Sequence, residues 1–412
     1  MGLLRYAVAA ALLVGLCSSN AGAAEDGTAP ARFEVSVLIM GQGPELFARF
    51  GHIALLVEDR QAKTQKVYNF GTFDFGNPAL RFKYLKGYLI YWLSVQSLPT
   101  TVRTYRHYDR TLEQRALNLD PAAAERLAKK LAENAKPENR EYEYRHYMDN
   151  CCTRIRDLVD EAGGGAVGAG RKGKPTGRTF RDLTRWSLQG VIASNVVIDF
   201  ALGPAIDQPL DRWAEEFLPA ILAEDLDLAR RPDGAPLVAA KTVLFSRAGP
   251  PLERVHEPWD VPVAAAFLAL LALGLLVPIG LGARFSGLST RLAALGLSTW
   301  AFFGGVGGVL LAVMWAWTTH YDTHGNENLL CFPPTHVFLF VPALVLIFRG
   351  RLGPTLDRLT GRYLRAAAIL VVAALLLKLR AHPQQNYGFM AFGFLMDLAC
   401  LAALRRTLTV DH

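Results

Sequence analysis

Cysteine is scarce, with five in 412 residues. Cys17 lies in the leading apolar segment, Cys151 and Cys152 are adjacent, and Cys400 sits within an apolar run, so no disulfide framework is implied. The first 259 residues lack long apolar runs beyond the leader, whereas most Asp, Glu and Lys lie before Trp259. The mean hydropathy of +0.18 therefore averages two unlike halves. No stripe of basic residues interleaves with aromatics, which removes the usual footprint of a nucleic-acid binder despite a net charge of +7. No internal repeat is evident.

What is present begins with an address. Arg5, the apolar run Ala7–Leu16 and the small residues Ala21-Gly22-Ala23 follow the order of a secretory signal, with cleavage expected after Ala23 or Ala24. Leu16 is too large for the residue before a lipidated Cys17. Residues 1–24 are thus expected to be a signal peptide and residues 25–250 an exported domain. An exported chain with unpaired cysteines needs a reason for at least one free thiol.

Five apolar stretches follow: Val261–Ala283, Leu292–Trp317, Val337–Phe348, Ala366–Leu379 and Tyr387–Leu404. Each approaches the roughly 20 residues that cross about 30 Å of hydrocarbon. Residues 260–406 therefore read as an all-α membrane bundle of about five helices. Arg284 and Arg291, the five arginines between Arg349 and Arg365, and Arg405-Arg406 fall on one side of such a bundle. Cations near span ends mark the cytoplasmic side, so Ala24–Trp259 is expected outside. Asp397, costly in lipid, is expected to face the bundle interior.

In the exported part Phe33–Ile39 alternates like a strand, and Ile53–Val57 and Lys66–Phe70 flank a polar turn like a hairpin. Pro121–Lys136, Cys151–Ala162, Phe180–Phe200 and Arg212–Leu222 have helical patterns, with Asp149 or Asn150 as cap for the second. Strands followed by helices predict an α+β domain. The crowded aromatics Phe73 to Trp92 read as core or as the wall of an acyl-chain groove.

Three features point to one site. His52 precedes the first hairpin strand, Asn69 sits on the second, and Cys151 opens a helix. A helix N-terminus favours the thiolate and is expected to lower the thiol pKa below about 8.5. A neighbouring imidazole can take the proton if a polar group orients its ring, a part that Asn69 could play across the hairpin. The N–H groups of Cys151 and Cys152 are candidate oxyanion donors. A lone histidine and a lone cysteine are also ordinary core residues, and on the residues alone both readings stand.

Phe50-Gly51-His52-Ile53-Ala54, Tyr68-Asn69-Phe70-Gly71-Thr72-Phe73-Asp74-Phe75 and Asp149-Asn150-Cys151-Cys152-Thr153-Arg154 resemble the N-terminal periplasmic domain of the Lnb family. Asn139–Tyr142, Asp207–Leu210 and Phe217-Leu218-Pro219 extend the resemblance over most of the exported domain. The order, histidine first and Asn-Cys last, is similar to the circularly permuted papain-like fold of NlpC-related hydrolases. The resemblance implies a bacterial lipoprotein N-acyltransferase with Cys151 as nucleophile and His52 as base. Cys152 stands where a small residue is expected, and its thiol competes for the role.

The implied reaction carries an acyl chain from phospholipid through a Cys151 thioester to an amine, such as a lipoprotein N-terminus. The protein would lie in the bacterial inner membrane with its N-terminal domain in the periplasm, and no cofactor or metal is required. Alternatives are a cysteine peptidase or amidase of the cell wall, and a non-enzymatic envelope-assembly module. Asn150 and Arg154, with His320, His324, Asn326 and Asn328 in the loop after the second apolar run, are candidate substrate contacts. A solvated loop is the plainer reading of the last four. The His320/Asp322/His324 spacing is not diagnostic of a metal.

Overall fold

The computed structural model describes residues 31–74, 76, 78–249 and 286–407. The expected signal peptide and the run Val261–Ala283 lie outside the described residues. Seven strands, β1 (Phe33–Met40), β2 (His52–Asp59), β3 (Thr64–Thr72), β4 (Ile90–Ser97), β5 (Leu112–Leu117), β6 (Glu141–Glu143) and β7 (Val238–Phe245), form one sheet in the order β6-β4-β3-β2-β1-β5-β7. All its pairs are antiparallel, and β1 against β2 sets Met40 opposite His52.

Side chains alternate across a strand, so β1 feeds two cores. Val35, Val37 and Ile39 join Ile53, Leu55 and Phe70 beneath three helices, α3 (Pro121–Asn134), α4 (Cys151–Ala162) and α8 (Pro219–Leu228). Leu38 and Met40 point the other way, to Leu56, Val67 and Tyr105 of α2 (Leu98–His107). The central strand β2 is buried from Ile53 to Val57 because both faces are covered. This is the α+β domain expected, with α1 (Pro78–Leu85) between β3 and β4.

Two expected helices are broken. Phe180–Phe200 divides into α5 (Phe180–Ser187) and α6 (Ile192–Ala201), because Gly190 takes φ +77°, outside the helical region. The segment from Arg212 stops as the single turn α7 (Arg212–Glu215), and α8 restarts with Pro219 at its first position. Proline disfavours helical backbone in the residue before it, and Leu218 is extended.

The C-terminal part is helical. Among its described residues three helices, Thr290–Trp317, Asn328–Arg349 and Tyr387–Leu404, are long and apolar enough to cross a membrane. The expected run Ala366–Leu379 is the end of a helix that starts at Pro354 and closes as a 3-10 turn at Leu379, and it is not among these three. Asp397 is fully buried in the bundle as expected, accepting from Trp300 Nε1 at 2.8 Å. Glycine permits close helix contact: a Cβ on Gly308 would stand 2.0 Å from Phe332 O.

The two parts are joined by a built seam. The last carbonyls of a helix have no partner within it, and those of α6 are met from the bundle loops. Asn326 Nδ2 donates to Phe200 O and Ala201 O at 2.9 and 3.0 Å, Asn328 Nδ2 to Phe200 O at 2.9 Å, and Gln384 Nε2 to Leu202 O at 3.0 Å. Arg185 adds two bonds to Gln385. Val196 and Phe200 of α6 pack into the bundle's own apolar core.

Candidate active site

Gly71 marks the centre of the site. The β3–β4 pairing is irregular between Asn69 and Thr72, and Gly71 adopts φ +88°, a backbone state that glycine enters freely. From the position of a Cβ built on Gly71, Cys151 Cβ lies 3.6 Å away, His52 Cε1 3.9 Å and the Tyr142 hydroxyl 3.9 Å. The first residue of β2 and the first residue of α4 thus meet over a bulge in β3. Asn69, almost wholly buried, hydrogen-bonds His52 through its side chain, as the hairpin arrangement requires.

Asn150 fixes the start of α4. Its Oδ1 accepts from Cys152 N at 2.8 Å and Thr153 N at 2.9 Å, and Thr153 Oγ1 accepts from Asn150 N, closing a capping box. Its Nδ2 donates to His146 O and Phe217 O at 2.9 and 3.0 Å. With donors and acceptor used on the backbone, Asn150 positions Cys151, and it also lines the cavity beside it. The Cys152 N–H is likewise committed to the cap, which leaves the N–H groups of Cys151 and Ile53 beside the sulfur as the freer oxyanion donors. Cys152 itself points into the sheet core and is fully buried, whereas Cys151 is half-buried and faces a cavity.

The protonation states differ from expectation. Burial pushes the Cys151 thiol up to about 12, against the opposing pull of the backbone N–H groups of Ile53, Cys151 and Cys152 and of the Arg110 charge. Burial, helped by Arg110, pushes His52 down to about 4, although its bond to Asn69 works the other way. The site therefore holds a neutral thiol beside a neutral imidazole. Removal from bulk water at the wall of an apolar cavity outweighs the helix terminus.

The cavity has a volume of about 890 Å³, within the roughly 300–1,000 Å³ of ligand sites. Apolar side chains dominate its wall, among them Phe47, Phe73, Leu85, Leu89, Ile198 and Met314. Met314 belongs to the apolar helix Thr290–Trp317, so the wall continues from the N-terminal domain onto the bundle. Residues 23–185 match the family model described as the Lnb N-terminal periplasmic domain. The N-terminal part is an Lnb-type periplasmic domain. No curated protein and no solved structure matches the chain. Among the described residues, this Lnb-type periplasmic domain is followed by three helices long and apolar enough to cross a membrane.

Of the outlying candidates, only His320 lines the cavity. Arg154 is absent from the wall, paired with Asp149 at 2.6 and 2.8 Å and lying 3.7 Å above the Tyr142 ring. His324 turns its Nε2 to Thr318 O at 3.0 Å. Asn326 and Asn328 are buried in the seam, where their amides are used. They are buried joints and not the solvated loop that was the plainer expectation. Among the described residues no group of three His, Cys, Asp or Glu could hold a metal ion.

Two residues were missed. Arg110 is held by Nε on Gly41 O at 2.9 Å, next to the residue paired with His52, while its buried Nη2 has no hydrogen-bond partner. His146 lines the cavity among Phe50, Tyr147 and Phe217, pushed down to about 4 by burial, with an unpartnered Nε2. The Tyr-rich segment 142–147 carried a signal for His146. Nothing local carried one for Arg110.

Proposed function

We propose that the chain is a thiol acyltransferase that moves an acyl chain from a membrane phospholipid to an amine, with Cys151 as nucleophile, His52 as base and Asn69 as orienter. The observation that carries this reading is the meeting of Cys151 and His52 beside Gly71 in an apolar cavity whose wall includes Met314 of a membrane-length helix. A cell-wall peptidase would need a polar groove, and this wall offers mainly hydrocarbon.

The chemistry runs from the neutral pair. As the Cys151 sulfur attacks the acyl carbonyl, its proton passes to His52. The carbonyl oxygen takes up charge facing the N–H groups of Cys151 and Ile53. The C–O bond to the glycerol breaks, His52 returns the proton to the departing alkoxide, and a lysolipid leaves behind a Cys151 thioester. An amine then attacks the thioester and gives its proton to His52. The C–S bond breaks, and the thiol is reprotonated. The acceptor we propose is the N-terminus of a lipoprotein, and the site is the periplasmic side of the inner membrane. A permuted papain-like arrangement fits a histidine strand that precedes the cysteine helix.

Intact-mass analysis of the protein trapped in native membranes tests this. A fatty-acyl adduct on the peptide containing Cys151, lost in Cys151→Ala, is expected. No adduct, together with release of fragments from peptidoglycan, would reverse the assignment in favour of the hydrolase.

A further inference from the structure

On one side the cavity wall is made by the bundle, through Met314 and residues 319–323. Met314 lies three residues before Trp317, about one helical turn inside the end of its helix. Trp315 and Trp317 are exposed, as aromatic residues at a membrane–water boundary are. The cavity therefore reaches the level of that aromatic pair.

Helix α1 is fixed at this level. Thr319 N donates to Lys86 O at 2.8 Å, and a Cβ on Gly87 would stand 2.8 Å from His320 N, so the turn after α1 sits directly on the end of the Thr290–Trp317 helix. The Phe82 ring meets Trp317 at 6.3 Å, and Lys86 Nζ lies 5.4 and 5.0 Å from the two ring centres. Yet Phe82 is 55% and Leu85 69% exposed, with Tyr88 exposed beside them. Arg81, Lys83 and Lys86 share the segment. Apolar side chains ringed by cations suit an element lying in a phospholipid interface. On another wall α6, which carries no cation, is also partly uncovered: Ile198 and the following Leu202 line the cavity, Phe200 packs on Phe332 of the Asn328–Arg349 helix, and Ile192 and Val197 remain exposed.

We infer that α1 and α6 are immersed in the outer leaflet and that the cavity opens sideways into its acyl-chain region past Leu85, Ile198 and Met314. The occupant is a glycerophospholipid of that leaflet, one of whose chains slides to Cys151 without leaving hydrocarbon, while Arg81 and Arg145 of the wall stand at the headgroup side. This names the route and lipid class for the reaction proposed above, yet its test does not depend on that reaction.

The full-length chain bearing Cys151→Ala, which removes the chemistry, is reconstituted in vesicles of phosphatidylethanolamine and phosphatidylglycerol. Nitroxides are placed singly by Phe82→Cys, Val197→Cys and, on the exposed face of α3, Lys129→Cys. The first two are expected to collide with dissolved oxygen several-fold more than with a water-soluble nickel chelate, and the third to do the reverse. A diazirine-bearing acyl chain should crosslink to peptides containing Leu85 or Met314. Nitroxides at 82 and 197 as wet as that at 129, with no such crosslink, would overturn the inference even if wild-type protein forms its thioester. Immersed labels and crosslinks in a chain whose wild type never forms a thioester would uphold the route and remove the transfer.

Discussion

Gly203 sits so close to His324 that a Cβ on the glycine would come within 2.3 Å of the histidine's carbonyl oxygen. The contact lies in the seam between periplasmic domain and bundle, beside the bond from Gly203 N to Asp322 O at 2.8 Å. Gly203→Ala must push the two apart. We expect it to lower the melting temperature in detergent and to expose the 202–204 segment to protease, with the Asn326→Ala chain behaving alike. Each buried carbonyl left unpartnered costs about 1–3 kcal/mol. Unchanged melting and cleavage would show that the seam is loose.

The adjacent thiols separate cleanly by environment. Cys151→Ala is expected to abolish acyl-adduct formation and lower turnover by about 10³-fold or more, as loss of an essential nucleophile does. Cys152→Ala empties a small volume of the sheet core and should cost about 1 kcal/mol of stability while keeping adduct formation per folded molecule. The reverse pattern would move the nucleophile to Cys152.

Neutral partners at rest predict a particular pH response. The Cys151 thiol near 12 and His52 near 4 leave almost no thiolate at pH 7. Alkylation of Cys151 by iodoacetamide should therefore be slow at pH 7 and still rising at pH 9. A plateau beginning near pH 5 would instead indicate a resting thiolate–imidazolium pair.

Acid stability follows from the same burial. His52 and His146 both have folded values near 4 against 6.5 when unfolded. Between those values the unfolded chain binds more protons, so stability is full above about pH 6.5 and falls as the pH drops towards 4. Each histidine contributes at most about 3 kcal/mol to that fall. Melting curves at pH 7.5 and 4.5 should differ strongly, and His146→Phe should narrow the gap. A gap untouched by that substitution would place the acid sensitivity elsewhere.

In the proposed mechanism Asn69 acts through its side-chain hydrogen bond to His52. Asn69→Ala should lower kcat about 10- to 100-fold with little change in KM, in line with the loss of an orienting partner. Asn69→Asp should restore part of the rate and carry the acid limb of the pH profile upward, since a carboxylate favours the charged imidazole. Loss confined to KM would show that Asn69 touches substrate.

The hairpin and the Cys151 helix were legible because their signals are local: alternation, a polar turn, an Asn cap. The seam was not, because Asn326, Asn328 and Gln384 look like an outer loop until the carbonyls of residues 200–202, over a hundred positions away, are brought to them. Arg110 was invisible for the same reason, since its meaning depends on which strand lies beside it. The thiol's protonation was misjudged because a sequence displays the helix terminus but not the enclosure around it.

The capping of α6 by the bundle has a consequence for how this protein can be made. With Val196 and Phe200 lodged among bundle side chains, a secreted fragment ending near residue 250 would carry an uncovered greasy helix whose final carbonyls have lost their donors. Soluble expression of such a fragment is therefore expected to fail where the full chain folds.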